Sequence, residues 1–140
     1  MFEEEPDFIS EDGWLIELYI KVHFSESIES PVYGFLIKTT DGVSVYGTNS
    51  LMRNKKMRAV AKDENVIIRF KQAVPLIEGD YFINVGIGAG VRNENVFPLD
   101  RRLSMIHLKI ISEKQYAFNG FFDLETVLDE VKHENEQEPI

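Results

Sequence analysis

From Trp14 to Phe24 every second residue is apolar: Trp14, Ile16, Leu18, Ile20, Val22 and Phe24, with Glu17, Tyr19, Lys21 and His23 on the alternate positions. Successive side chains of an extended chain point to opposite faces, so a period of two predicts a long strand with one buried face. The same period returns along the chain. Pro31 opens a run from Val32 to Thr39, and Val43–Thr48 follows after Asp41-Gly42, a dipeptide that favours a hairpin turn. Val66–Gln72, Asp80–Gly88 and Ser104–Ile111 alternate in the same way, and Tyr116–Phe122 is a last extended piece. Beyond it Asp123 stands where a helix cap would, with Leu124, Val127, Leu128 and Val131 on one helical stripe. Seven short strands with turns between them predict an all-β fold, an antiparallel immunoglobulin-like or jelly-roll β-sandwich with a short C-terminal helix.

A length of 140 residues is enough for one domain with its own core. The net charge of −9 is unevenly placed. Residues 1–12 hold six acids and no base, and residues 129–138 hold five acids against Lys132, which leaves a nearly neutral body. The chain therefore divides into an acidic N-terminal segment (1–12), a sandwich (13–124), and a C-terminal helix with an acidic tail (125–140). The absence of cysteine excludes a disulfide framework and thiolate zinc sites. No apolar run is long enough to span a membrane and the acidic start is unlike a signal peptide, so a soluble, single-domain, intracellular protein is expected. Arg53, Lys55, Lys56, Arg58 and Lys62 form a basic cluster, read as a solvated loop between strands. No aromatic residue interleaves with these bases for stacking, so no nucleic-acid partner is expected.

Catalytic signatures are missing. His23, His107 and His133 lie far apart, without metal-ligand spacing, and there is no G-x-S-x-G nucleophile elbow. Gly86-Ile87-Gly88-Ala89-Gly90 follows a strand as a dinucleotide fingerprint would, but Val91 occupies the position of the third glycine and a polar loop follows. No P-loop is present. A non-enzyme without cofactor or metal is expected.

The alternation also defines an outer face. With Tyr81, Ile83, Val85 and Ile87 inward, Phe82, Asn84, Gly86 and Gly88 point outward. Gly34, Leu36 and Lys38 do the same on their strand, as do Met105, His107 and Lys109 on theirs. If these three strands are neighbours, they build a glycine floor rimmed by Phe82, Met105, Asn84, His107 and Lys38. A bare floor lets a ligand approach the backbone, and an aromatic platform with amide and imidazole groups suits a sugar. A plain sheet surface or a protein-docking face is the alternative.

Two stretches resemble a known family. Val32-Tyr-Gly-Phe-Leu-Ile-Lys, the Asp41-Gly42 turn and Tyr46-Gly-Thr-Asn-Ser50 resemble the hairpin of the Wzt C-terminal domain family. Pro75-Leu76, Glu78-Gly79-Asp80-Tyr81, the arginine-bearing loop Asp100-Arg101-Arg102 and the closing Gly120-Phe121-Phe122-Asp123-Leu124 follow in the family's order. The resemblance implies a β-sandwich carbohydrate-binding domain, cut from the ATPase subunit of an ABC transporter that exports O-antigen polysaccharide at the cytoplasmic face of the bacterial inner membrane. It implies recognition of the polymer's modified non-reducing end, a homodimer, and contact with the ATPase domain and the membrane subunit. Tyr116–Val131 is the segment two chains could exchange. The candidate binding residues are Phe82, Asn84, His107, Met105 and Lys38, with Arg101 or Arg102 at the edge to meet a charged glycan end. Thr48 and Asn49 are read as structural. An enzyme acting on the glycan would need a carboxylate pair, for which Asp80 and Asp100 are the candidates.

Overall fold

The computed structural model describes residues 8–11 (backbone), 15–111 and 118–131. Its strands are β1 (Phe8–Glu11), β2 (Leu15–His23), β3 (Pro31–Thr39), β4 (Ser44–Asn49), β5 (Asn65–Ala73), β6 (Gly79–Ala89) and β7 (Phe97–Ile111), with a 3-10 turn at Asn93–Asn95. They form a five-stranded sheet in the order β1-β7-β6-β3-β4 and a two-stranded sheet of β2 and β5. All pairings are antiparallel except β1 with β7.

Alternation produces the core. Ile16, Leu18, Ile20 and Val22 of β2 face Tyr33, Phe35, Ile37, Ile83, Val85, Ile106 and Leu108 of the larger sheet. Aromatic edges lock the two layers, Phe35 against Phe70 at 5.0 Å and Phe24 against Tyr33 at 6.4 Å, both in T-shaped geometry. The expected all-β sandwich is thus present, and an immunoglobulin-like fold is consistent with it.

Several expectations need correction. Residues 123–131 form no helix; Leu124, Val127, Leu128 and Val131 are all strongly exposed, because no core surface lies beneath their stripe. Asp100-Arg101-Arg102 is not a loop but part of β7, which starts seven residues before the expected Ser104 and runs along the glycine-rich half of β6. In the described part of the expected last strand, only Phe122 forms a bridge, to Leu76. Residues 1–12, read as an acidic segment, contribute β1. Trp14, His133 and the start of the Tyr116 strand lie outside the described residues. No described helix is long and apolar enough to cross a membrane.

Candidate functional site

The neighbour relation assumed for the three outer strands is the one observed. Gly34 pairs with Gly86, Leu36 with Asn84 and Lys38 with Phe82 across β3 and β6. On the other side Phe82 pairs with His107 and Gly86 with Arg101. Above them lies an open groove of about 830 Å³, floored by Gly34, Gly86 and Gly88. One wall carries Asn49 and Met52, the other Val96, Pro98, Arg101 and Leu103. Its volume is in the range of ligand sites, about 300–1,000 Å³. A smaller depression of about 210 Å³, lined by Thr39, Phe82 and Ser104, adjoins it through Lys38, Asn84 and Leu103.

The floor is bare for two different reasons. A Cβ on Gly34 would lie 2.9 Å from Thr48 O, and one on Gly88 would lie 2.5 Å from Val96 Cγ1 and 2.9 Å from Phe97 O. Those two glycines are required by close strand packing. A Cβ on Gly86 would meet nothing nearer than Asp100 O at 3.8 Å, so packing alone does not demand a glycine there.

The walls are held by side-chain hydrogen bonds. Asn49 Oδ1 accepts from Met52 N–H at 2.8 Å, and Asn49 Nδ2 donates to Asn93 Oδ1 at 2.9 Å, joining the β4 wall to the loop before Val96. Asn49 is therefore structural, as read from the sequence. Ser50 is buried and its Oγ accepts from Tyr33 N–H at 3.2 Å, which fixes the turn under Met52.

Opposite Asn84 the β7 strand bulges. Ile83 pairs with Ile106 but Val85 with Arg102, leaving extra residues on β7. Ser104 has φ 51°, in the left-handed region, and its N–H donates to Asn84 Oδ1 at 2.6 Å. Asn84 is consequently 8% exposed, a floor residue rather than the rim residue expected.

The other candidates divide. Lys38 and Arg101 line the groove, and Phe82 lines the smaller depression. His107 stands behind Phe82, its ring stacked at 5.1 Å and its Nε2 2.8 Å from Asp80 Oδ1. Met105 is not on the rim; the bulge turns it half-buried against the core. Arg102, adjacent to Arg101 in an extended strand, falls on the opposite face, 3.3 Å from Asp100. Met52, Val96, Pro98 and Leu103 were missed. The walls come from a turn and a bulge, which no alternation reveals.

The carboxylate pair does not form. Asp100 lies opposite Ile87, seven residues along β6 from Asp80, a separation of about 23 Å at ~3.3 Å per residue. Glycosidase carboxylates stand about 5–9.5 Å apart.

The sequence matches the model of the Wzt C-terminal domain family over residues 3–124. Among solved structures, a crystal structure of the C-terminal domain of Wzt is similar at a TM-score of 0.77 and 31% identity, over 89% of this chain and 74% of that one. The CARDB domain of a Pyrococcus furiosus protein, determined in complex with di-metal ions, shares the fold alone, at a TM-score of 0.50 and 15% identity over 80% of this chain and 90% of that one. None of the curated proteins matches.

Proposed function

The chain belongs to the Wzt C-terminal domain family, and from that premise we propose that it is a non-catalytic glycan-recognition module of an ABC transporter that exports O-antigen polysaccharide. The observation that carries this reading is the glycine-floored groove on the outer face of the five-stranded sheet, with Asn84, Lys38 and Arg101 among its lining. An extended polymer fits an open groove better than an enclosed cavity, and a floor without side chains lets sugar rings approach the backbone. Phe82, supported by the stacked His107, offers a ring face in the adjoining depression.

In this proposal the module acts by selection. It reads the modified non-reducing end of a completed chain and presents that cargo to the ATPase domain and membrane subunit, at the cytoplasmic face of the inner membrane, as a homodimer. Binding on an open face gives modest affinity for the isolated domain.

The test is an NMR titration of isotope-labelled protein with O-polysaccharide from the source bacterium, intact and with its terminal modification removed. Shifts at Gly34, Asn84 and Gly86 with the intact polymer alone are expected. No shift with either polymer at millimolar repeat units overturns glycan recognition in favour of a protein-docking or dimerisation face.

A further inference from the structure

The polar groups of the groove are one-sided. Asn84 Oδ1 is occupied by the Ser104 N–H, and an amide nitrogen cannot accept that bond, so the carboxamide orientation is determined. Its Nδ2 is left with two hydrogens and no partner among the described residues, although the residue is 8% exposed. Buried donors are almost always satisfied, so one left over at a groove floor points to an acceptor from outside the chain. Lys38 and Arg101 line the same groove, and neither forms an ion pair with another described residue.

Acceptors are scarce by comparison. Asn49 Oδ1 is engaged by Met52 N–H. The single acidic residue among the described lining, Asp100, pairs with Arg102. The Thr48 hydroxyl is the one remaining side-chain oxygen in the main groove, and it both donates and accepts. Arg53, Lys55 and Lys56, which follow Met52 in the chain, are all exposed.

We infer that the groove selects an acidic glycan, whose carboxylate or phosphate oxygens accept from Asn84 Nδ2 between Lys38 and Arg101. Hydroxyls of a neutral sugar donate as well as accept, and would leave donors unmatched here; anionic oxygens only accept. This inference rests on the glycan reading and adds the charge of the ligand to it.

Calorimetric titration with three forms of the source bacterium's O-polysaccharide tests it: untreated, carboxyl-reduced to convert uronic acids into neutral hexoses, and treated with hydrofluoric acid to remove phosphate. Loss of about tenfold or more in affinity after one treatment is expected, and the treatment that causes it identifies the anion. Arg101→Gln and Lys38→Gln each weaken binding of the untreated polymer by about fivefold or more, while Arg69→Gln, on the other sheet, leaves it unchanged. If the untreated polymer binds and neither treatment nor either groove variant changes its affinity, the acidic-ligand inference is wrong and the glycan reading stands. If the untreated polymer does not bind, the glycan reading itself fails.

Discussion

Asn84 shows how one side chain serves fold and ligand with different atoms. Its oxygen holds the backbone of Ser104 in a left-handed conformation, while its nitrogen faces the groove. Asn84→Ala removes the acceptor and leaves the Ser104 N–H in a partly buried site, so it should cost about 1–3 kcal/mol in urea unfolding. Asn84→Asp keeps an acceptor and should unfold closer to wild type, yet its carboxylate between Lys38 and Arg101 should eliminate binding of an acidic polymer. A second residue-scale prediction concerns Tyr33. Burial pushes its phenol from 10 up to about 12, with the charge of Arg58 opposing and that of Glu64 adding to the effect. Above pH 10 the unfolded chain loses this proton while the folded chain keeps it. The contribution is therefore complete below pH 10 and lost as pH rises toward about 12. Urea midpoints measured from pH 8 upward should fall more steeply for wild type than for Tyr33→Phe once pH 10 is passed.

At the scale of elements, the glycines of β3 and β6 separate packing from function. Gly88→Ala drives a methyl into Val96 and the Phe97 carbonyl, and should destabilise by about 1–3 kcal/mol. Gly86→Ala places its methyl over the groove floor at ordinary contact distance, so thermal unfolding should change little while polysaccharide binding weakens. The early half of β7 was hidden in the sequence because Pro98 and Asp100 are poor strand formers and Arg101-Arg102 breaks the apolar alternation. Pairing with β6 overrides those local preferences. The C-terminal stripe failed in the opposite direction. Leu124, Val127, Leu128 and Val131 have helical spacing, but a short helix is stabilised by the surface it packs on, and none lies beneath them. Leu128 is 91% exposed, so Leu128→Asp should shift the unfolding free energy by no more than about 0.5 kcal/mol.

For the whole molecule, the lopsided sandwich implies a single cooperative unit. A two-stranded sheet is marginal by itself in water, and β2 and β5 are held by the inner face of the larger sheet through Leu18, Ile20, Phe70 and their neighbours. Leu18, 1% exposed, lies in the smaller sheet. Leu18→Ala should cost about 2–5 kcal/mol, and the loss should be felt equally in both sheets. Amide exchange at Ile83 in β6 and at Ile20 in β2 should accelerate by the same factor. Unequal acceleration would mean that the two sheets open separately.

What the sequence determined by itself was everything that depends on parity. A strand has only two faces, so alternation was enough to identify the core residues of β2, β3 and β6 and to put Gly34, Lys38, Asn84 and Gly86 on the outer faces of their strands, whereas the pairing of β3 with β6 is what brings them together. Short motifs in the hairpin and before β6 carried the family. Only the tertiary structure decided the groove, because its walls arise where parity breaks. The bulge at Ser104 buries Asn84 and turns Met105 away, the turn held by Asn49 raises Met52, and Leu99, the extra residue between Asp100 and Pro98, packs against the core. A bulge depends on what the partner strand presents across the ladder, a relation between residues far apart in the chain.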